Sequence, residues 1–180
     1  QAFTAPDIQV LESYLALKYG LTLSPDTDGN GMSLEAPNAE GVDEGDYLSS
    51  GSIVIWDASA NSGYGNEIIG IARDDASGLL QKQSHSIDDS LRVYLQSLQT
   101  GNKINPAIKS DFGLDEAFLI IGHDEGSLYD SGIKYGEWPT GVYNRIDREW
   151  KMQNTNFTGT FSLDITLDAL SNISSINPND

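Results

Sequence analysis

The sequence contains no cysteine and only two histidines, His85 and His123. Disulfides and thiolate metal sites are therefore excluded, and any metal must be bound mainly by oxygen. No G-x-S-x-G, H-E-x-x-H or glycine-rich phosphate loop is present, so we do not expect an enzyme. A pair of glycosidase carboxylates is the one catalytic arrangement that remains open, because acidic residues are frequent throughout the chain.

Basic residues are scarce: 10 Lys and Arg face 27 Asp and Glu, for a net charge of −17. Such a chain repels nucleic acid and anionic lipid, so neither is an expected partner. Its apolar runs are too short for a membrane helix. The acids form either a solvated surface or shells around bound cations. Their clustering in glycine-rich loops favours the second interpretation.

The apolar pattern predicts one domain over residues 1–180, a mostly-β antiparallel β-sandwich with an N-terminal helix and long calcium-binding loops. Eighteen Gly and six Pro separate many short segments. Apolar or alternating segments occupy residues 52–56, 67–72, 91–95, 117–121, 146–152 and 161–168. The alternating residues expected to face the core are Leu91, Val93, Leu95, Ile146, Trp150, Met152, Phe161, Leu163, Ile165 and Leu167.

The first segment predicts a helix that begins after Thr4 and ends at Gly20. Thr4 and Asp7 have the spacing of a capping box, and a glycine is the usual residue just past a helix end. Residues at helical spacing predict a buried face made of Ile8, Leu11, Tyr14 and Leu15, with Lys18 at its rim.

Residues 26–31 have the sequence Asp-Thr-Asp-Gly-Asn-Gly, which matches the beginning of an EF-hand loop. Ca²⁺ takes six to eight oxygen ligands, and we expect Asp26, Asp28 and Asn30 to supply some of them. The glutamate that would close an EF-hand is missing, since residue 37 is proline. An Asx-rich turn without metal is the alternative.

Further acidic and amide residues follow the predicted strands: Asp57, Asn61, Asn66, Asp74, Asp75 and Asp124. If these loops gather at one pole of the sandwich, their oxygens form a rim of calcium sites able to hold a ligand directly on the metal. Adjacent carboxylates such as Asp74 and Asp75 repel each other unless a cation lies between them. Arg73 is the alternative cation for that position.

Candidate ligand-binding residues are loop aromatics and cations: Tyr64, Tyr135, Trp138, Arg73 and Arg148. Exposed aromatics suit sugars or peptide side chains, although many merely cover the end of a core. Arg148 lies on a predicted apolar face between Ile146 and Trp150. It therefore forms either an internal ion pair or a site for an anionic ligand.

Four ordered segments together resemble a domain of very large surface and secreted proteins of marine and gut bacteria. They are Leu11–Leu23, Val54–Tyr64, Ile69–Ser84 and Arg145–Lys151. Among those proteins are calcium-dependent repeats-in-toxin adhesins, and the chain is similar to their peptide-binding domain. The resemblance implies an extracellular, calcium-dependent sandwich, on the cell surface or secreted. It also implies binding of the free C-terminal end of a peptide or protein on a host or neighbouring cell, with the terminal carboxylate reaching a bound calcium.

Two alternatives to peptide binding remain: a calcium-dependent carbohydrate-binding module, and a calcium-stiffened structural domain of an adhesin. The chain begins with Gln1 rather than methionine. We expect it to be a monomeric module of a longer protein.

Overall fold

The computed structural model describes residues 5–23, 45–88, 90–96, 106–128 and 146–165. Within these ranges the chain forms one α-helix, one 3₁₀ helix and nine strands. They are α1 (Ala5–Tyr19), β1 (Tyr47–Leu48), β2 (Val54–Trp56), β3 (Asn66–Asp74), β4 (Leu79–Gln81), β5 (Gln83–His85), β6 (Leu91–Leu95), the 3₁₀ helix (Pro106–Phe112), β7 (Gly113–His123), β8 (Trp150–Phe157) and β9 (Phe161–Ile165).

Two antiparallel sheets form the sandwich. The large sheet has the order β4-β3-β7-β8 and the small sheet the order β5-β6-β9, while β1 and β2 pair separately. Lys82 is the residue at which the chain leaves β4 in the large sheet and enters β5 in the small one. The predicted mostly-β sandwich with an N-terminal helix is confirmed.

The main core lies between the two sheets. Leu91, Val93 and Leu95 of β6 are buried, as their alternation predicted, and they belong to one cluster with residues of the large sheet. The other members of this cluster come from the large sheet and its flanks: Ile69, Ile71, Leu80, Phe112, Ala117, Leu119, Ile121 and Phe157. Burial of alternate side chains on both facing sheets is the main source of stability in such a fold.

A second apolar cluster covers the opposite face of the large sheet. It contains Ala16 and Leu17 of α1, Tyr47 and Trp56 of the β1–β2 pair, and Phe118 and Ile120 of β7, among others. The molecule therefore has three layers. This explains the continuous apolar run of β7, because a strand covered on both faces has no polar side to present.

The helix ends as predicted but buries a different face. Gly20 has φ of 66°, and the N–H of Leu21 donates to the carbonyl of Ala16 at 2.9 Å, which closes the helix end. The buried residues are Ser13, Ala16 and Leu17. The predicted face is wrong for three of its members, since Ile8, Leu11 and Leu15 are 47%, 51% and 38% exposed.

Ser13 contributes to this orientation through hydrogen bonds, together with the packing of Ala16 and Leu17. Its hydroxyl accepts a hydrogen bond from the Leu48 N–H at 2.9 Å and donates to the Gln9 carbonyl at 2.7 Å. This contact turns Ser13 toward β1. A polar residue therefore occupies the centre of the buried face, where apolar periodicity alone does not place it.

Edge strands β8 and β9 turn the predicted residues toward the core side, but three of those residues, Met152, Leu163 and Ile165, are exposed rather than buried. Met152 pairs with buried Ile121, and Leu163 pairs with buried Val93, so both face the core side. They are nevertheless 42% and 38% exposed. Strand β8 begins at Trp150, so Ile146 precedes it, and Leu167 lies outside the described residues. Within the described part of the chain, no helix combines the length and apolar character needed to cross a membrane.

Candidate functional site

The predicted acidic loops that fall within the described residues lie at two opposite ends of the large sheet. At one end of the sheet, His123 pairs with Asn66 on one side and with Trp150 on the other. We call this end the acidic pole, because Asp124 and Glu149 are the next residues along the chain. Strand β3 then runs nine residues to Asp74, a distance of about 26 Å at 3.3 Å per residue. The expectation that several acidic loops gather at one pole therefore does not hold for the loop with Asp74 and Asp75.

At the far end, Asp74 is held entirely by protein groups. It is 2% exposed and accepts hydrogen bonds from Ser50 N at 2.9 Å, Ser50 Oγ at 2.5 Å and Ser77 N at 3.3 Å. Burial alone raises the pKa of Asp74, but the bonds from Ser50 and Ser77 outweigh it and lower the pKa below its ordinary value. Asp74 thus has a structural role in the fold.

Asp75 is paired with two cations. Arg73 Nη2 lies 2.8 Å from Oδ2 and Lys109 Nζ 2.6 Å from Oδ1. The hydrogen bond from Arg73, followed by that from Lys109, lowers the pKa of Asp75 to about 2. Arg73 therefore takes the alternative role foreseen for it, as the cation beside adjacent carboxylates.

The loop between β2 and β3 is pinned to β8 by one glutamine. Gln153 Oε1 accepts the N–H of Asp57 at 3.0 Å and the Nδ2–H of Asn61 at 2.6 Å. Asp57 Oδ1 accepts the Ala60 N–H at 2.6 Å, three residues on, as the side chain of a capping residue does. Asn66 Nδ2 donates to the His123 carbonyl at 3.0 Å. Three of the predicted metal-site residues therefore shape this loop.

A cavity of about 300 Å³ lies beside the loop. The residues that line it include the apolar Trp56 and Ile68 and the amide residues Asn61 and Asn66. Leu23 and Gly45 also line it, and these two residues flank the acidic segment 24–44. The other predicted positions Asp26, Asp28, Asn30, Tyr135 and Trp138 lie outside the described residues.

Tyr64 and Asp124 are fixed at the acidic pole. Tyr64 Oη donates to Glu149 Oε2 at 3.1 Å, and Lys151 Nζ lies 5.5 Å from the centre of the Tyr64 ring. The bond to Glu149 raises the pKa of Tyr64. Asp124 Oδ1 accepts the N–H groups of Gly126 at 2.9 Å and Glu149 at 3.0 Å. These contacts join the end of β7 to the start of β8.

A cluster that the sequence did not indicate lies between the two sheets at this pole. Glu67, Asp88 and His123 each bring one oxygen or nitrogen atom within 4.8 Å of the others. Arg148 Nη1 lies 2.5 Å from Asp88 Oδ2, and its Nε donates to the Gly126 carbonyl at 2.9 Å. The alternative of an internal ion pair for Arg148 is therefore confirmed.

The donor set of this cluster does not suit calcium. Ca²⁺ requires oxygen ligands. The carboxylate oxygens of Asp88 are already used, because they accept hydrogen bonds from Ser86 Oγ at 2.7 Å and Ser90 N at 2.9 Å besides the ion pair with Arg148. His123 Nδ1 accepts the Glu125 N–H at 3.0 Å, so the neutral ring carries its proton on Nε2. Among the residues that the structure describes, none forms a hydrogen bond with the buried Nε2. The ring thus offers a donor rather than a metal-binding lone pair.

His123 is almost fully buried, with only 3% of its surface exposed. Burial, and then the positive charge of Arg148, lowers the pKa of His123. Burial raises the pKa of Glu67. Burial also raises that of Asp88, but hydrogen bonds from Ser90, Ser86 and Arg148 outweigh it and lower the pKa. The three groups respond differently to pH because only Asp88 is fully hydrogen-bonded in its charged form.

The low pKa of His123 predicts acid destabilisation. Above the unfolded-state pKa, about 6.5, His123 is neutral in both states and costs no stability. Below it the unfolded chain binds a proton that the folded chain resists, so the unfolding free energy falls by at most about 1.4 kcal/mol per pH unit. Urea titrations between pH 7.5 and 5.5 should show this fall in the natural protein and a smaller one in His123→Gln. His85→Gln, at an exposed histidine, is the control; equal slopes in all three proteins would contradict the prediction.

Comparison with known proteins gives one family match. The family described as Domain of unknown function (DUF8202) matches residues 7–179, which is nearly the whole chain. No curated protein and no solved structure matches the chain.

Proposed function

We propose that this chain, which belongs to the DUF8202 family, is a non-catalytic, calcium-dependent binding module of an extracellular bacterial adhesin. Its ligand is the free C-terminal end of a peptide or protein. The cavity beside the β2–β3 loop is the observation that carries the proposal, because it joins an apolar floor to a few polar groups. That combination is typical of sites that select and orient a small ligand.

The size and rigidity of the cavity support a short ligand. Its volume of about 300 Å³ is at the lower end of ordinary ligand sites, enough for the last residue or two of a chain. Gln153 fixes Asp57 and Asn61 by two hydrogen bonds. A site that is already formed loses little conformational entropy on binding, which favours affinity.

The charge balance supports calcium. The chain has 17 more acidic than basic residues, so its own cations cannot neutralise most of its carboxylates. Leu23 and Gly45 line the cavity, and the sequence between them contains Asp26, Asp28 and Asn30. A calcium ion bound by that segment is the proposed partner of a terminal carboxylate, which is a hard oxygen ligand of the kind Ca²⁺ prefers.

Calorimetric titration with matched peptides tests the proposal. A short peptide with a free C-terminus should bind in calcium, and its C-terminal amide should bind at least about tenfold more weakly, a difference of about 1.4 kcal/mol. A chelator, or Asp28→Asn, should weaken binding of the free acid similarly. Asp75→Asn is the matched control, because Asp75 lies at the opposite pole with its own cations.

Equal binding of acid and amide, or binding indifferent to chelator, would contradict the proposal. If calcium raises the melting temperature but no peptide from a library of free C-termini binds, the structural-domain alternative is favoured instead.

A further inference from the structure

We propose that the cavity beside the β2–β3 loop selects a peptide whose C-terminal residue has a carboxamide side chain, asparagine or glutamine. The inference rests on the proposed function, because this is the cavity assigned there to the end of a peptide. It goes further by naming the side chain that fills the cavity and the two residues, Asn61 and Asn66, that select it.

The cavity is uncharged on the part of its lining that the structure describes. Apolar, amide, hydroxyl and glycine residues line it there, and none of them is an acid or a base. Its most buried lining residues are Trp56, Asn61 and Ile68, which are 1%, 4% and 3% exposed. A charged side chain that entered would lose its hydration without meeting an opposite charge. The ligand side chain is therefore neutral.

Two fixed partners determine how the asparagine amides are oriented. Gln153 Oε1 accepts the backbone N–H of Asp57 at 3.0 Å, so it is an acceptor and requires an N–H from Asn61, whose Nδ2 lies 2.6 Å away. The backbone carbonyl of His123 likewise requires the Nδ2–H of Asn66, at 3.0 Å. Both nitrogens are thus turned to the protein, and each amide has its oxygen left over.

These two oxygens are acceptors that need a donor. Among the residues that the structure describes, none donates to Oδ1 of Asn61 or of Asn66. Asn61 is 4% exposed and lines the cavity, so the cavity is the route by which a donor reaches its oxygen. An acceptor that is cut off from water by a ligand without a donor is costly. The ligand side chain must therefore carry N–H or O–H groups.

A carboxamide meets these requirements better than the other neutral side chains. It has two N–H donors for the two asparagine oxygens, and its carbonyl can accept the second N–H of an asparagine Nδ2. A hydroxyl offers a single donor, and an aliphatic or thioether side chain offers none. The apolar Trp56 and Ile68 suit the methylene groups that carry the amide.

The walls of the cavity are held in place before a ligand arrives. A Cβ atom at Gly122 would lie 3.2 Å from the Trp56 ring and would clash with the Tyr64 carbonyl, so the glycine lets both lie directly on β7. The N–H of Leu23 donates to Tyr47 Oη at 2.9 Å. A rigid site discriminates between ligands of the same shape by their hydrogen bonds, because it does not rearrange to pair its polar groups elsewhere.

The test is calorimetric titration of the whole chain, in calcium, with free-acid peptides that differ only in their last residue. Glutamine, glutamate and methionine have nearly the same shape but differ in charge and in donors. The glutamine peptide should bind at least tenfold more tightly than either of the others, because only its side chain is both neutral and a donor.

Two variants connect this preference to the asparagines. Asn61→Ala and Asn66→Ala should each reduce the ratio of the glutamine to the methionine affinity at least fivefold. A merely structural loss would weaken both peptides equally and leave that ratio unchanged. Asn154→Ala is the matched control: the Asn154 amide bonds to the backbone N–H and carbonyl of Phe157, and its removal should leave the ratio as it is.

Equal or tighter binding of the glutamate or methionine peptide would overturn this inference and leave the proposed function intact. If no peptide binds, the proposed function fails, and propionamide and butanone decide the inference by themselves. They differ only in an N–H₂ group against a methyl group. In chelator, propionamide should shift the NMR signal of the Trp56 indole N–H, and butanone should do so at least fivefold more weakly. Equal shifts, or none from either compound, would then overturn the inference as well.

Discussion

Asp74→Asn is expected to lower the free energy of unfolding by about 3 kcal/mol, by the same amount with calcium as with chelator. Asp74 is 2% exposed and accepts hydrogen bonds from two backbone N–H groups and one hydroxyl. A hydrogen bond to a charged group contributes about 1.5–3 kcal/mol, and a buried donor left unpaired costs about 1–3 kcal/mol. An asparagine also turns an N–H₂ group toward donors, which leaves Ser50 without a full set of acceptors.

Urea denaturation of the variant in calcium and in chelator measures this effect. Asp75→Asn is the matched control one residue away. Its ion pairs with Arg73 and Lys109 are about a third exposed on the Asp75 side, so we expect a loss of less than about 1 kcal/mol. If Asp74→Asn is destabilising only in calcium, Asp74 is a metal ligand after all and the structural role assigned here is wrong.

Arg148→Met is expected to lower the free energy of unfolding by about 2 kcal/mol. The guanidinium is 13% exposed and the Asp88 side chain 29%, so removal of the cation leaves a half-buried carboxylate without its partner. Breaking a fully buried pair costs about 3–5 kcal/mol, and the exposure of Asp88 reduces that figure. The pair also joins the β5–β6 turn of the small sheet to the segment before β8 of the large sheet, so its loss affects the packing of both.

A double-mutant cycle isolates the interaction. With Asp88→Asn as the second change, we expect a coupling energy of at least about 1 kcal/mol. The control cycle of Lys109→Met with Asp75→Asn concerns a pair in which both side chains are about a third exposed, and its coupling should be below about 0.5 kcal/mol. Additive effects of Arg148→Met and Asp88→Asn would show that the ion pair contributes nothing measurable to stability.

Period-two alternation predicted the buried face of β6 because only one face of that strand packs on the core. The continuous apolar run of β7 predicted a buried strand for a related reason, although not the third layer that covers it. The same reasoning failed for the helix. Leu11 and Leu15 have the spacing of a core face, yet Ser13, Ala16 and Leu17 are the buried residues. Ser13 bonds to β1, and Ala16 and Leu17 pack in the second apolar cluster.

The candidate sites were harder to predict than the strands. Asn61 and Asn66 were named for their oxygens, and both line a cavity, but as members of a loop pinned by Gln153. A cavity of about 500 Å³ between the end of α1 and strands β5 and β6 was also not foreseen. Arg92 and Tyr94 line it, but in the sequence they appear only as the polar half of an alternating strand. Their place beside the end of α1 depends on a contact between segments about 70 residues apart.

The sequence by itself determined the mostly-β class, the ends of the helix and the excess of acidic charge, because each of these is a property of composition or of near neighbours along the chain. Only the tertiary structure decided which carboxylates lie together and which cations neutralise them. Glu67, Asp88 and His123 come from three separate segments. Their meeting depends on strand register and on how the two sheets are packed, and no local pattern encodes either.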